Sequence, residues 1–230
     1  MIRKHVCAVL IAGAVLFNFV NPVFACSLNI NADLTVFKGR YSVDPIQISL
    51  GYDHMRQKSL DRNREDLFIE FRNKVTNGDA SRITGFFVPD IGGFYVLQQP
   101  SGQDGIVSPV EGVLTQFRRP ASQGVIGLMA HNYSAGKWFS RFSVGDEFFI
   151  IYGDGRVEAF QYKEAIRYRA INGKNVLSDF VDLSNGERES VDQVYERVYS
   201  GKPHLTLQTC IQEKDDLTWG RLFIVAVPIR

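Results

Sequence analysis

Cys210 is the strongest candidate nucleophile in this sequence, because a thiolate readily attacks a carbonyl carbon. It ends a predicted strand over residues 205–210, and Arg221 stands just before a predicted last strand over residues 222–227. In a hairpin the end of the first strand lies beside the start of the second, so Cys210 and Arg221 are expected to be close. A guanidinium near a thiol favours the thiolate and can stabilise an oxyanion. Taken alone, however, an arginine at a strand end is more often a solvated charge.

Acyl transfer by a thiol also needs a proton carrier, and His131 is the best-placed histidine. It follows the apolar stretch 124–130 at the mouth of a predicted buried strand, where a rigid scaffold would hold it open to substrate. His204 shares a strand with Cys210 but lies roughly 20 Å from it, so it cannot reach the thiol. His54 is interpreted as a solvated surface residue. Considered by itself, His131 would still more often be structural than catalytic.

Taken together, these residues resemble the sortase family. The stretch Thr206-Leu207-Gln208-Thr209-Cys210 is similar to the family's Thr-Leu-x-Thr-Cys strand. Ala130-His131-Asn132 is similar to its Gly-His-Asn turn, with alanine in place of the usual glycine, and Gly220-Arg221 is similar to the start of its arginine strand. The order His, Cys, Arg agrees as well. The segment before residue 81 has no counterpart in the resemblance.

The resemblance implies a mechanism and two partners. Cys210 would attack a sorting-signal peptide, often of the Leu-Pro-x-Thr-Gly kind, and form a thioester that an amine acceptor then resolves. His131 would carry the protons and Arg221 would stabilise the tetrahedral intermediates. Thr209 is expected to act by backbone positioning or substrate contact, and Asn132 to orient His131. No cofactor is implied, and the sequence does not indicate an oligomeric state.

The pattern beyond residue 80 is that of a β-rich domain. Helical spacing predicts surface helices over residues 59–75 and 190–199, and Asp154-Gly155 predicts a tight hairpin turn. This balance favours a mainly β fold, a closed or nearly closed barrel with helices on its outside. The resemblance implies a sortase-like closed β-barrel of about eight strands with a few short flanking helices. The predicted strands cover residues 83–88, 94–97, 124–129, 147–152, 157–170, 205–210 and 222–227.

The N-terminal residues 1–25 have the pattern of a secretory signal, in which Arg3 and Lys4 precede a short apolar run. Cleavage after Ala25 is the favoured outcome. Retention of the signal, or lipidation of Cys26, would associate the chain with a membrane. We therefore expect an exported protein, extracellular or associated with the cell envelope. An N-terminal arm with a surface helix would span residues 26–80, and the catalytic barrel residues 81–230.

Cysteine usage and charge narrow the class of protein. Of three cysteines, Cys7 would leave with the signal and Cys26 would lie at the new terminus, so no disulfide framework is expected and Cys210 is predicted to be a free thiol. The chain has 26 Lys and Arg against 25 Asp and Glu, a net charge of +1. This balance does not call for a nucleic-acid partner.

An acidic stretch precedes the cysteine strand, in a region where some sortases bind calcium. Its spacing matches no calcium loop, so no metal is expected, and a solvated acidic face bordering the substrate groove is the favoured interpretation. The stretch contains Asp179, Asp182, Glu187, Glu189, Asp192 and Glu196.

Two other functions stay open at this point. A cysteine hydrolase on the same scaffold would use the same three residues and release the peptide to water. A non-catalytic exported binding or adhesion domain would keep the barrel with an unreactive Cys210. The exported L,D-transpeptidases are disfavoured, because their cysteine lies in a Ser-x-Gly-Cys context that residues 207–210 lack.

Overall fold

The fold is known from a computed structural model that describes residues 64–103 and 105–230. Three α-helices and one 3-10 helix occur within these residues: α1 (Arg64–Val75), α2 (Arg118–Ala121), α3 (Val191–Tyr199) and the 3-10 helix (Ala135–Arg141). The strands of the same ranges are β1 (Ile83–Val88), β2 (Gly92–Gln98), β3 (Val113–Phe117), β4 (Ile126–Met129), β5 (Glu147–Tyr152), β6 (Val157–Ala170), β7 (Phe180–Asp182), β8 (Arg188–Glu189), β9 (Leu205–Glu213) and β10 (Asp216–Pro228).

Eight of these strands close into a mixed barrel. Their order is β10-β9-β4-β3-β2-β1-β5-β6, and β6 pairs back onto β10 to complete the ring. The pairs β2–β3 and β4–β9 are parallel, while the remaining barrel pairs are antiparallel. Strands β7 and β8 extend the sheet outward from β6. The prediction of a mainly β, closed eight-stranded barrel with short flanking helices is confirmed.

Side chains alternate between the two faces of each strand, so the barrel wall separates an inner core from outer ones. Leu205, Leu207, Leu222 and Ile224 belong to the inner core. Phe223, the residue between the last two, packs instead in a second cluster with α3. A third cluster lies beneath α1, which buries Phe71 and Val75. The side chains around Cys210 are therefore sorted by strand parity into inner and outer sets.

The outer helix α3 follows the predicted spacing. Val191, Val194, Tyr195 and Val198 are all buried against the barrel. Ser190 caps the helix by accepting a hydrogen bond from the backbone N–H of Gln193, whose side chain in turn accepts from the Ser190 N–H. This reciprocal cap fixes the entry of α3, so the helix forms a firm wall over the outer face of the barrel.

Some elements differ from the sequence-based expectation. The cysteine strand does not end at Cys210 but continues to Glu213, and only Lys214 and Asp215 separate it from β10. Strand β3, the short strands β7 and β8, and the 3-10 helix were not predicted, because they are short or lack a clean apolar alternation. The helix predicted over residues 59–75 is present as α1 over Arg64–Val75.

The predicted signal over residues 1–25, the processing of Cys26, His54 and the arm before residue 64 lie outside the described residues. Within residues 64–103 and 105–230, no helix has both the length and the apolar character needed to cross a membrane.

Candidate active site

Cys210 and Arg221 lie directly opposite each other on the antiparallel strands β9 and β10. Directly opposed residues project from the same face of a sheet. On β9, Cys210 projects from the same face as Gln208, which accepts a hydrogen bond from Tyr199 of the outer helix α3. On β10, Arg221 projects from the same face as Phe223, which packs in the outer cluster. Both therefore lie on the outer face of the barrel, and the predicted proximity of the two residues is found.

Arg221 is not a solvated strand-end charge, because its exposed fraction is 0%. Its Nη1 donates to the carbonyl oxygens of Thr218 and Gly220 at 3.0 and 2.9 Å, and its Nη2 to that of Gly173 at 3.3 Å. Burial lowers the pKa of Arg221 to about 10, while Asp216 opposes this shift. The guanidinium thus stays cationic at neutral pH and is held by main-chain oxygens beside Cys210.

Cys210 itself is buried and is disulfide-bonded in this structure. The expectation of a free thiol is therefore not met here. A disulfide sulfur cannot act as the attacking thiolate, so any chemistry at Cys210 requires the reduced form.

His131 follows strand β4, which pairs with β9 in parallel register. Met129 lies opposite Gln208, and the Ala130 N–H donates to the Gln208 carbonyl oxygen at 3.1 Å. His131 comes two residues after Met129 and Cys210 two residues after Gln208, so the same register, continued, would bring His131 to the level of Cys210. Since Met129 packs in the outer cluster, the same parity directs His131 to the outer face.

The His131 ring is held by two contacts and is only 8% exposed. Its Nε2 lies 3.3 Å from the carbonyl oxygen of Val107, in the loop between β2 and β3. The ring of Tyr133 stacks on it with centroids 4.8 Å apart and an interplanar angle of 10°. Burial lowers the pKa of His131, and the Val107 carbonyl opposes this shift, so the neutral imidazole is favoured relative to a solvated histidine.

A tight turn fixes the backbone at His131. The N–H groups of Ser134 and Gly136 both donate to the His131 carbonyl oxygen at 3.0 Å. A Cβ on Gly136 would overlap Oγ1 of Thr209 and lie 2.7 Å from the His131 carbonyl oxygen. The histidine turn is thus packed against the residue that immediately precedes Cys210.

The two supporting residues behave differently from each other. Thr209 is buried with its side chain toward Gly136, on the strand face opposite to Cys210 as predicted, which favours positioning over substrate contact. Asn132 donates from Nδ2 to the carbonyl oxygen of Leu217 at 3.0 Å. It therefore ties the histidine turn to the start of β10, and the structure gives it this contact rather than one that orients the imidazole.

His204 has a structural place, as the sequence indicated. Its Nδ1 and Nε2 lie 2.7 and 3.0 Å from the carbonyl oxygens of Lys202 and Val198. Thr206 Oγ1 donates to the same Val198 carbonyl at 2.6 Å. Both residues satisfy the end of α3, far along β9 from Cys210.

The acidic stretch is not simply a solvated face. Asp182 is buried and pairs with Nη1 of Arg197 at 2.7 Å, and Glu189 pairs with the same nitrogen at 3.0 Å. Asp179 pairs with Arg188. The Tyr168 hydroxyl accepts a hydrogen bond from Arg197 and donates one to Glu189. Tyr168 lies on β6 directly opposite Arg221, so this network is next to Arg221.

Within the part of the chain that the structure describes, no group of three or more His, Cys, Asp or Glu residues is arranged to hold a metal ion. Sequence reasoning missed Val107, Tyr133 and Gly136. Tyr133 and Gly136 carried a local signal, because both lie within five residues of His131. Val107 carried none, since its backbone reaches His131 only through the fold.

Comparison with known proteins gives structural neighbours only. No family model and no curated protein matches this chain. The fold is similar to sortase A of Listeria monocytogenes, with 14% identity, coverage of 66% of this chain and 89% of that one, and a TM-score of 0.41. It is similar to sortase C1 of Streptococcus suis, with 14% identity, coverage of 72% of this chain and 95% of that one, and a TM-score of 0.41. It is also similar to sortase C-1 of Actinomyces oris, with 10% identity, coverage of 73% of this chain and 96% of that one, and a TM-score of 0.44. At these values the likeness by itself assigns no activity.

Proposed function

We propose that this chain is an exported, sortase-like cysteine transpeptidase that cleaves a sorting-signal peptide and transfers its acyl group to an amine. One observation carries the proposal: Cys210 and Arg221 oppose each other on the outer face of β9 and β10, with His131 at the end of the adjoining β4. A nucleophile, a fixed cation and a titratable base are the groups that acyl transfer through a thioester requires.

The proposed first half-reaction begins with reduced Cys210. Its thiolate attacks the scissile carbonyl carbon, and the tetrahedral intermediate collapses to a thioester as the C–N bond breaks. Protonated His131 gives its proton to the leaving amine, which prevents the amine from re-forming the peptide bond. His131 is then neutral, as its buried position favours.

The second half-reaction reverses the proton flow. An incoming amine attacks the thioester carbon, His131 takes a proton from its nitrogen, and the C–S bond breaks to restore the Cys210 thiolate. Both halves pass through an oxyanion, which the buried charge of Arg221 would stabilise. Because Arg221 is already held by the carbonyl groups of Thr218, Gly220 and Gly173, its charge needs little reorganisation during the reaction.

The surface around the site suits a peptide donor. Tyr133 and Leu217 are exposed apolar side chains beside the histidine turn and the start of β10, while Ile171 and Leu177 are exposed on the loop that reaches Arg221 through Gly173. A peptide of the Leu-Pro-x-Thr-Gly kind would place its scissile carbonyl at Cys210 between these two borders.

The test is a transfer assay with the purified protein, under a reductant that opens the disulfide at Cys210. Sorting-signal peptides and an amine acceptor are supplied, and products are followed by mass against Cys210→Ala. A Cys210-dependent amide product supports the proposal, whereas cleavage without amine incorporation assigns a hydrolase. Absence of any product, with reduced Cys210 inert to iodoacetamide in the folded protein, would leave a binding domain.

Export is tested separately. The expected result is a chain found outside the cytoplasm with residue 26 at its N-terminus, as determined by N-terminal sequencing of the fractionated protein. A cytoplasmic chain that keeps Met1 would contradict it.

A further inference from the structure

We infer that Tyr133 is a positioning residue that, together with the Val107 carbonyl, holds His131 with its proton on Nε2 and leaves Nδ1 as the nitrogen that exchanges protons with the reactants. The inference deepens the proposed function and rests on it for the role of Nδ1. The tautomer of His131 depends only on the contacts around its ring and not on the activity of the protein.

One edge of the His131 ring faces the carbonyl oxygen of Val107. A carbonyl oxygen only accepts hydrogen bonds, so the nitrogen that faces Val107 must carry the hydrogen. That nitrogen is Nε2, at 3.3 Å. A neutral imidazole carries one N–H, and therefore Nδ1 keeps its lone pair. Burial, which favours the neutral form of His131, makes this tautomer the resting one.

One face of the His131 ring is covered by the ring of Tyr133. Tyr133 is 46% exposed while His131 is 8% exposed, so the tyrosine ring covers the histidine on its solvent side. The interplanar angle of 10° and the centroid distance of 4.8 Å define a parallel stack. A flat cover of this kind resists tilting of the imidazole, and tilting is the motion that would lengthen the bond to Val107.

A turn of the backbone brings Tyr133 over His131. Residues two apart stack only if the chain folds back between them. The two N–H donors from Ser134 and Gly136 close that turn on the His131 carbonyl oxygen. Asn132 fastens the same turn to Leu217 on β10. The tyrosine is therefore part of the device that places the histidine.

The test reads the tautomer and the kinetics in the same proteins. The full chain, reduced and labelled with 15N-histidine, is compared with Tyr133→Phe, Tyr133→Leu and Tyr133→Ala. Val144→Ala controls for loss of an exposed apolar side chain outside the histidine turn. We expect the His131 signal to report Nε2–H in the wild type, in Tyr133→Phe and in the control. Tyr133→Leu and Tyr133→Ala should show mixed tautomers.

The kinetic expectation follows from the size of an aromatic pair. Loss of the stack should lower kcat about five- to tenfold with little change in KM for the peptide, and Tyr133→Phe should recover most of kcat. A wild-type signal for Nδ1–H, or an unchanged tautomer and kcat in both Tyr133→Leu and Tyr133→Ala, would overturn the inference. If no peptide is turned over but the tautomers behave as expected, the proposed function fails while the assignment of the ring stands.

Discussion

Cys210 and Arg221 face each other across the β9–β10 pair, and both side chains are buried, with Arg221 0% and Cys210 5% exposed. A charge on an outer strand face would ordinarily extend into water. Here the carbonyl oxygens of Thr218, Gly220 and Gly173 replace that water around the guanidinium. The arrangement places a fixed positive charge beside the position where a thioester would form.

Replacing Arg221 with lysine should abolish most of the activity. A lysine keeps the charge but loses the planar fork that spans three carbonyl groups, so the charge would no longer be held in one place. We expect kcat to fall roughly 10²- to 10³-fold, as for loss of one oxyanion donor. The control is Arg169→Lys, because Arg169 is exposed on the neighbouring strand opposite Gly220. Equal kcat for Arg221→Lys and the wild type would contradict the electrostatic role.

Replacing Gly136 with alanine should displace the histidine turn. The added Cβ would overlap Oγ1 of the buried Thr209 and press on the His131 carbonyl oxygen, which already accepts two hydrogen bonds in the turn. We expect a loss of about 1–3 kcal/mol in the free energy of unfolding, measured in urea, together with a large fall in kcat. Ser140→Ala, at an exposed position of the same 3-10 helix, should leave both quantities close to the wild type.

Much of this site could be predicted from the sequence, and the reason is local. Cys210 and Arg221 belong to consecutive strands, so a hairpin alone brings them together. The residues alone do not place His131 near Cys210, because that placement depends on the parallel pairing of β4 with β9. That pairing joins segments almost 80 residues apart, and no local pattern specifies it. The family resemblance supplied the information that spacing lacked.

The burial of the charged side chains could not be predicted from the sequence. Arg221 was interpreted as solvated when taken alone, since nothing in its neighbours shows that the loop with Gly173 would close over it. Asp182 was placed on a solvated face, yet it is buried against Arg197 of α3. Burial arises from packing between distant elements, so a charge pattern read along the chain misses it.

Replacing Asn132 with alanine should weaken activity without unfolding the protein. The variant loses the bond from Nδ2 to the Leu217 carbonyl oxygen, which links the histidine turn to β10. One such bond contributes roughly 1 kcal/mol, so kcat should fall about fivefold while the melting temperature falls by only about 2–4 °C. Gln212→Ala removes a similar amide-to-carbonyl bond, to Lys214, within the hairpin alone, and it should leave kcat unchanged. A fivefold fall in both variants would assign the effect to the hairpin and not to its link with the histidine.

Acid should destabilise the protein partly through Asp182. The backbone N–H and hydroxyl of Ser184 and the guanidinium of Arg197 lower the pKa of Asp182, against the opposing effect of its burial. Because the folded pKa lies below the unfolded one, near 3.8, the stabilisation is present above that value and is lost as pH falls through the folded pKa.

Asp182→Asn isolates this contribution. Urea unfolding is measured from about pH 2 to about pH 7, which includes the range where carboxylates titrate. At neutral pH the wild type should be more stable than the variant by about 1–3 kcal/mol, since the variant leaves Arg197 with only Glu189 as an anionic partner. The two curves should converge toward the acid end, where Asp182 is protonated in both states. A difference that stays constant across the range would show that Asp182 acts through packing and not through its charge.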